Sequence, residues 1–544
     1  MEVCVVDLPK YGGVHGNMIG KDMLIFMFST PGVWILLILI YVLTTFVFRK
    51  LCSISWKSSS SLPLPPGPCP WPIVGSIFQM GKLPHQYFAQ LAKKYGSPIV
   101  HARLGHRHWI VVHSPETAME VLKTRDMEFA YRAPSVFAEH FSFGYQNIAF
   151  RQHTDATWRH LRKLCATSLF ATSSLRLSAA LRQEEISTMI STIQSAAIKS
   201  GSTFLLKARP LMYETNMNMM SRMLFGKKYF GTAHSLGREA ATFRIMLEQV
   251  VEESGKIHLG DLFPMLRWLD LQCTEKNLRE QVRPAMEKFF AARISERKLQ
   301  HHLDGGIREH TDFLDVLLSL KDGDTLSDIC IMALLSDLMS GGSDTATVSV
   351  EWALSELIVH PNQLMKAQQE IDNVVGQYRL VQESDIPYLP YLHAIIKETM
   401  RLHPPVPLLI PHYSPITSHL GGYKVPAGSN VMVNAWAIGR DPNVWSNPEE
   451  FNPDRFLGVA DTQFVGGKQF QLLPFSAGRR QCPGYPLAAI QVPHTLASLI
   501  HAFNWVPPAG QRSKDKNMNE SFGLACYRAV PLEAAVSYRL KHVL

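Results

Sequence analysis

One cysteine of the chain stands in a loop whose residue types suit a metal-binding thiolate. The loop reads PFSAGRRQCPG, residues 474–484, with Phe475, Gly478, Arg480, Cys482 and Gly484 at the spacing F-x-x-G-x-R-x-C-x-G. A largely apolar helical stretch follows at 487–503. The sulfur would therefore lie just before a helix N-terminus, where the helix dipole and the backbone N–H groups favour a thiolate.

The chemistry that this loop suits is axial ligation of a haem iron. Its glycines allow the backbone to approach a flat macrocycle. A thiolate ligand pushes electron density onto iron and favours O–O cleavage. Arg480 can pair with a haem propionate, and Phe475 would shield the sulfur from water and so tune the iron. The other cysteines are scattered without a CxxC pair, which favours neither a disulfide framework nor a zinc site.

A second candidate segment places an acid beside an alcohol in a long helix. The sequence SGGSDTATVSVEW, residues 340–352, contains Gly341, Gly342, Asp344 and Thr345. Two glycines inside a helix cost about 1 kcal/mol each relative to alanine, which suggests a local distortion with a use. A threonine hydroxyl can also bond a backbone carbonyl one turn earlier and open the helix.

Two further motifs carry arginines at helical spacing. KETMR places Glu398 and Arg401 three residues apart, where they can pair on one helix face. FNPDRF supplies Arg455, whose planar guanidinium can bind a carboxylate bidentately. TWRHLRK places Trp158 and Arg162 four residues apart, so they project from one helix face.

Together these motifs resemble those of the cytochrome P-450 monooxygenases, in particular the microsomal plant type. The resemblance covers nearly the whole chain and implies that Cys482 is the axial ligand of haem b. It also implies that Thr345 hydrogen-bonds to oxygen in an oxygen-binding groove and that Asp344 helps to relay protons from water. The Glu–Arg–Arg cluster of the family, here Glu398, Arg401 and Arg455, would lock the haem-side core.

The same resemblance assigns propionate donors and a docking face. Trp158 and Arg162 would contact a propionate together with the arginine of the cysteine loop. His412 stands where many members have arginine, and it would be a weaker, titratable donor. Arg159 and Lys163 would help to dock an acidic electron donor.

The pattern of the remaining sequence predicts a mainly α fold with small β-sheets. Helical periodicity marks residues 155–170, 277–300, 327–359 and 391–403, and two strands joined by a short turn are expected at 99–104 and 108–113. Extended sequence returns at 420–434 and near the C-terminus. Pro486 leaves the start of the final helix undetermined. The resemblance implies the cytochrome P-450 fold over residues 75–544, preceded by one N-terminal transmembrane helix.

The N-terminal region predicts a membrane anchor. Residues 23–48 are almost wholly apolar and uncharged. This stretch is long enough to cross a membrane, which requires about 20 apolar residues. This stretch is too long for a signal-peptide core. Basic residues after it favour a cytosolic C-terminal side. We therefore expect residues 1–22 to be lumenal, residues 49–74 to form a basic and Pro-rich hinge, and the catalytic domain to face the cytosol from the endoplasmic reticulum membrane.

Composition limits the partners. The 544 residues carry a net charge of +8 without basic–aromatic interleaving, which argues against nucleic-acid binding and favours an acidic protein or an anionic membrane surface. The chain has no convincing nucleotide-binding segment of its own. Electrons should therefore come from NADPH through NADPH-cytochrome P-450 reductase, with membrane lipid, dioxygen and a small apolar substrate as the other partners.

The expected reaction is insertion of one oxygen atom from dioxygen into a small apolar molecule. By resemblance, substrate-lining residues come from 137–150, 336–340, 406–410 and 522–525, whose content suits an aromatic or terpenoid skeleton. The C-terminal run ESFGLACYRAVPLEA resembles the end of flavonoid hydroxylases. Two alternatives stay open: a haem-thiolate enzyme that rearranges or dehydrates hydroperoxides, and a non-enzymatic membrane haem sensor or carrier.

Overall fold

The computed structural model of the protein describes Leu39 and residues 62–200, 203–231, 245–247, 249–250, 252–303, 312–321, 323–458, 470–508, 510, 517–523 and 525–541. The predicted lumenal segment, 1–22, and all of the predicted span, 23–48, except Leu39 lie outside the described residues. Within the described part of the chain, no helix combines the length and apolarity that crossing a membrane requires.

Helices dominate the described part, as the sequence predicted. The α-helices are α1 Pro84–Tyr95, α2 Pro115–Met119, α3 Asp126–Phe129, α4 Val136–Phe141, α5 Ala156–Leu164, α6 Thr172–Leu177, α7 Ala179–Lys199, α8 Ala208–Phe225, α9 Leu259–Leu262, α10 Thr274–Asn277, α11 Arg283–Leu303, α12 Phe313–Leu318, α13 Asp328–Val359, α14 Pro361–Val375, α15 Pro390–Leu402, α16 Ala435–Ile438 and α17 Tyr485–Ala502. Short π-helical segments lie at Glu120–Thr124, Cys165–Leu169 and Leu278–Val282.

The strands form small sheets. They are β1 Ile99–Leu104, β2 Arg107–Val112, β3 Thr203–Lys207, β4 His412–Ser414, β5 Ser418–Leu420, β6 Tyr423–Val425, β7 Ser429–Val433, β8 Phe503–Val506, β9 Glu520–Ser521, β10 Tyr527–Arg528 and β11 Glu533–Tyr538. The largest sheet has the order β1-β2-β7-β4, in which β2 and β7 are parallel and the other pairs antiparallel. A second sheet has the order β3-β11-β8. The predicted class, mainly α with small β-sheets, is confirmed for the described residues.

Helix α13 crosses the molecule and positions the predicted acid–alcohol segment. Its 32 residues span about 48 Å at 1.5 Å per residue. The side chain of Ser327 caps its first turn by accepting a hydrogen bond from the backbone N–H of Cys330. The N-terminal half packs in one hydrophobic cluster, with Met339, and the C-terminal half packs in another, with Val350. A break in this helix would therefore disturb both halves of the core.

The segment before the body is non-helical, as its prolines require. Residues 62–70 adopt neither helix nor strand. The backbone oxygen of Pro66 accepts a hydrogen bond from the N–H of His101, at 3.0 Å, and that of Pro63 accepts one from Lys424, at 2.7 Å. A Cβ at Gly67 would lie 1.7 Å from the backbone oxygen of His101. This stretch therefore lies directly against the sheets, and glycine is needed where it crosses β1.

Candidate active site

The Cys482 loop places its sulfur at the start of α17. The backbone N–H of Cys482 donates to the oxygen of Phe475 at 3.0 Å, and Gly484 is the N-cap of the helix. Burial raises the pKa of the Cys482 thiol, while hydrogen bonds from the backbone N–H groups of Gly484 and Tyr485 act to lower it. Yet Cys482 also has exposed surface. The Cys482 residue is therefore accessible to a ligand, while its sulfur keeps the nearby backbone N–H groups.

Helix α13 also presents open space in its middle. Gly341 is exposed although most residues around it are buried, and a Cβ at this position would meet no other group within 4 Å. One turn later the Thr345 hydroxyl donates to the Gly341 backbone oxygen at 2.7 Å. The helix nevertheless continues without a break from Asp328 to Val359. The bare Gly341 backbone therefore leaves room beside the helix for a flat ligand.

The second glycine has a different purpose. A Cβ at Gly342 would lie 2.6 Å from the sulfur of Met220, on α8. Close approach of α8 is accompanied by a buried polar chain, in which Gln491 donates to Asn216 at 2.6 Å and Asn216 donates to Thr347 at 2.9 Å. Gly342 thus allows helix packing, whereas Gly341 leaves open space.

The predicted propionate donors gather around the cysteine loop and bond to backbone oxygens. Trp158 Nε1 and Arg480 Nη1 both donate to the oxygen of Ile148, at 3.0 and 3.2 Å. Arg162 Nη1 donates to the oxygen of Gln481 at 2.7 Å. The Arg480 guanidinium also lies 4.8 Å from the Trp158 ring centroid. The structure therefore brings Arg480 to Trp158 and Arg162, which lie more than 300 residues earlier in the sequence.

Arg132 belongs to the same cluster and was missed by the sequence analysis. Its guanidinium donates to the backbone oxygens of Ala149, Ile410 and Pro411, at 2.9, 2.8 and 2.6 Å. No motif marks it, because its partners lie up to 279 residues away. The signal that could have found it is a lone arginine in an otherwise apolar YRAP stretch.

Two of these arginines are buried cations without a counter-ion. Of the described residues, none places a carboxylate within ion-pair distance of Arg132 or Arg480. Burial and the Arg480 charge hold the pKa of Arg132 well below its usual range, and burial and Arg162 lower the pKa of Arg480 to about 9. Burial and both guanidinium groups also hold the pKa of His412 well below its usual value. Such a cluster favours an anionic ligand, and the carboxylates of haem fit it.

The acid of α13 has an unexpected partner. Asp344 is buried and accepts a hydrogen bond from the hydroxyl of Tyr527, on β10. Burial raises the pKa of Asp344 to about 6, and the Tyr527 hydrogen bond acts to lower it. Tyr527 carried no sequence signal, because the two residues are 183 positions apart.

Glu398 pairs with both arginines that the sequence motifs predicted. Arg401 donates to both carboxylate oxygens at 2.7 Å, and Arg455 Nε donates to Oε1 at 3.0 Å. The backbone N–H of Asn452 adds a fourth hydrogen bond at 2.8 Å. The cluster joins α15 to the segment that precedes the cysteine loop.

The remaining predicted residues occupy distinct environments. The Phe475 ring packs edge-to-face on Tyr485, with centroids 5.2 Å apart, beside the cysteine loop. Arg159 and Lys163 are exposed on α5. Their side chains are therefore available to a partner.

The stretches predicted to line a substrate include a loop held by α13. Asp337 accepts hydrogen bonds from Asn147 and from the backbone N–H groups of Ile148 and Ala149, at 2.6, 3.0 and 2.9 Å. In the other stretch near the C-terminus, the Phe522 ring stacks on His85 at 5.8 Å. Both contacts fix segments that the sequence assigned to substrate binding.

Comparison with known proteins gives consistent similarities. The sequence profile described as Cytochrome P450 matches residues 65–529. The chain is similar to flavonoid 3'-monooxygenase of Petunia hybrida, with 39% identity over 91% of this chain and 96% of that protein. It is similar to cytochrome P450 76C2 of Arabidopsis thaliana, with 38% identity over 91% and 96%. A solved zebrafish cytochrome P450 with abiraterone matches with a TM-score of 0.69 and 26% identity, covering 85% of this chain and 100% of that chain.

Proposed function

The chain belongs to the cytochrome P450 family, and we propose that it is a monooxygenase that hydroxylates a flavonoid-like aromatic substrate. Haem is its cofactor. The observation that carries the proposal is the position of Cys482 at the start of α17, with the backbone N–H groups of Gly484 and Tyr485 directed at its sulfur. One oxygen atom of dioxygen enters the substrate and the other leaves as water, with two electrons supplied by NADPH.

The chain's own residues suit the binding of haem. The bound cofactor supplies the iron at which dioxygen is activated. Cys482 would ligate the iron as a thiolate, which the neighbouring backbone N–H groups stabilise. Phe475 would limit the access of water to the sulfur. Arg480 and Arg132, with Trp158, Arg162 and His412, would hold the propionates, because an anion relieves the cost of the buried guanidinium groups.

Asp344 and Thr345 are proposed to deliver protons. A carboxyl whose pKa lies near 6 exchanges protons readily near neutral pH, as a general acid must. The Thr345 hydroxyl lies beside the open space at Gly341 and can turn from the helix carbonyl toward a ligand there. An acid–alcohol pair of this kind has no use in a sensor or a carrier, and it is not needed to rearrange a hydroperoxide.

The substrate class is supported by the relatives and by the lining segments. Proteins named flavonoid 3'-monooxygenase and flavonoid 3',5'-hydroxylase match the chain at 39% and 36% identity. Aromatic side chains such as Phe137, Phe141 and Phe150 form one cluster in the predicted lining. Such a lining suits a planar aromatic skeleton.

The electron donor is proposed to be NADPH-cytochrome P-450 reductase docking on the α5 side. Arg159 and Lys163 are exposed there, on the helix whose Arg162 contacts the cysteine loop. Arg479, in the loop itself, is also exposed. A basic face near the metal ligand suits an acidic redox partner.

We also propose that residues 23–48 anchor the protein in the endoplasmic reticulum membrane, with residues 1–22 lumenal, 49–74 as a hinge and 75–544 cytosolic. An exposed apolar surface supports this placement: Ile73, Leu266 and Leu271 line one surface pocket. Trp268 and Met265 of the same segment are 78% and 89% exposed. Large exposed apolar patches mark membrane or protein contacts, so this side is expected to face lipid.

The test combines a thiolate signature with substrate binding. The ferrous protein with carbon monoxide should show the thiolate-type absorption band, which Cys482→Ala should abolish. The ferric protein should shift toward high spin with flavonoids, and not with terpenoids or fatty acids. Oxidation should require NADPH and reductase. Absence of the band from folded wild-type protein would overturn the Cys482 assignment, and a shift with terpenoids alone would overturn the substrate class.

A further inference from the structure

The buried carboxyl of Asp344 depends on one side chain for its orientation. Asp344 is 2% exposed. Within the described part of the chain, the hydroxyl of Tyr527 is the hydrogen-bond donor to this carboxyl, and no cation pairs with it. A buried carboxyl with a single donor can rotate once that donor is removed.

We propose that Tyr527 is a positioning residue for oxygen activation, which holds the Asp344 carboxyl in the orientation from which it delivers protons. The inference rests on the proposed function of Asp344. It adds a residue from the C-terminal β9–β10 hairpin to a proton path that the motif on α13 alone cannot describe.

The backbone around Tyr527 is fixed independently of its hydroxyl. The N–H of the preceding residue, Cys526, donates to the oxygen of Pro405 at 2.7 Å, and the oxygen of Cys526 accepts from Trp352 Nε1 at 2.9 Å. Because these contacts hold the hairpin, loss of the phenol oxygen should leave its position unchanged. The Tyr527 hydroxyl is therefore not needed to hold the hairpin, and its hydrogen bond goes to the Asp344 carboxyl.

Charged groups surround the outer side of the Tyr527 ring. The Arg209 guanidinium lies 4.9 Å from the ring centroid and donates to Glu351 at 2.8 Å. Tyr213 lies near Tyr527, and Arg528 lies near Arg209, Glu351 and Glu356. Arg209 is partly exposed, with 21% of its side-chain surface accessible. The ring thus separates the partly exposed Arg209, which pairs with the buried Glu351, from the buried Asp344 carboxyl.

The hydrogen bond from Tyr527 also affects how readily the Asp344 carboxyl loses and regains its proton. Burial alone would keep the carboxyl protonated, and donation from Tyr527 favours its ionised form. Burial, and then the Asp344 charge, raise the pKa of Tyr527 far above its usual value. Tyr527 therefore stays protonated and acts as a permanent donor. An acid that must give and regain a proton in every turnover needs such a balance.

The experiment compares Tyr527→Phe with wild type in the full-length, haem-loaded protein reconstituted with reductase. We expect product formed per NADPH to fall about tenfold and hydrogen peroxide release to rise, since positioned acid catalysis is worth roughly 10²–10⁴ in rate. The alkaline limb of the pH profile should move to higher pH, because Asp344 loses the donor that lowers its pKa. The thiolate-type carbon monoxide band and substrate affinity should not change.

Tyr538→Phe is the matched control. The Tyr538 hydroxyl, on β11, has no hydrogen-bond partner among the described residues, so this variant removes a phenol oxygen without removing a bond. It should retain wild-type coupling and pH dependence. If Tyr527→Phe behaved as this control does, Tyr527 would be a packing residue and the inference would be overturned.

Asp344→Asn separates this inference from the proposed function. If Asp344→Asn impairs coupling while Tyr527→Phe does not, the Tyr527 inference alone fails. If Asp344→Asn retains full coupling, the proposed proton path fails, and the Tyr527 inference fails with it. In the double variant, Tyr527→Phe should add no further loss to that of Asp344→Asn, because Tyr527 acts through this carboxyl. An additional tenfold loss would contradict that mechanism.

Discussion

Replacement of Glu398 by glutamine tests how the fold supports the cysteine loop. Glu398 and Arg401 are completely buried, and Arg455 is 10% exposed. The substitution keeps the volume and one carbonyl oxygen but removes the charge that compensates both guanidinium groups. Arg401 would retain its hydrogen bonds to the backbone oxygens of Gly439 and Pro448, and these carry no countercharge.

The expected loss follows from that arrangement. Removal of one partner from a buried ion pair costs about 3–5 kcal/mol, because an uncompensated charge stays behind. Since the glutamine oxygen keeps part of the hydrogen bonding, we expect about 3 kcal/mol. A loss of this size changes the unfolding equilibrium by about a hundredfold, at tenfold per 1.4 kcal/mol. The segment leading to the cysteine loop should therefore loosen at lower denaturant concentration.

The assay is urea denaturation followed by the thiolate-type carbon monoxide band. Glu287→Gln is the control, because it removes the same charge from a partly exposed pair with Arg283, in which the side chains are 44% and 34% exposed. An exposed pair of this kind contributes about 0–1 kcal/mol. If Glu398→Gln and Glu287→Gln unfolded at the same urea concentration, the argument that buried charge compensation holds this region would be wrong.

Three other predictions follow from single contacts. Gly341→Ala should preserve stability but lower haem content, because its Cβ would enter the open space beside the helix. Gly342→Ala should have a free energy of unfolding about 1–3 kcal/mol lower than that of Gly341→Ala, because its Cβ would meet Met220. Thermal unfolding and the haem-to-protein absorbance ratio distinguish the two variants. Arg132→Gln should lower the same absorbance ratio, and a ratio equal to wild type would contradict its assignment to the propionates. Burial acts to raise the pKa of Glu356, but hydrogen bonds from His360 and His403 lower it to about 2. The ionised Glu356 therefore stabilises the folded state above about pH 4.5, and this contribution is lost as the pH falls toward 2. Glu356→Gln should flatten acid unfolding in that interval, as followed by circular dichroism.

The sequence predicted elements whose signals are local. The long helix was placed at 327–359 and observed at Asp328–Val359, because Ser327 caps a continuous helical pattern. The first two strands were also predicted correctly. The π-helical segments Cys165–Leu169 and Leu278–Val282 were not predicted. Hydrophobic periodicity near 3.6 residues cannot resolve one extra residue in a turn.

The same distinction between local and non-local signals applies to the candidate active site. The cysteine loop and the partners of Glu398 were found because each motif fixes the spacing of several residues. Arg132 and Tyr527 were missed because each is a single residue whose role arises from a contact with a distant part of the chain. Folding creates these contacts, so one sequence contains no pattern that marks them.

His412 shows how the structure changes the meaning of a predicted residue. The resemblance predicted a titratable donor to a propionate at this position. In the structure its Nδ1 lies 3.2 Å from the backbone oxygen of Phe129, so that nitrogen carries the hydrogen. Burial and the guanidinium groups of Arg132 and Arg480 hold its pKa well below its usual value. His412 is therefore neutral beside two cations, and the positive charge that attracts the propionates must come from the arginines.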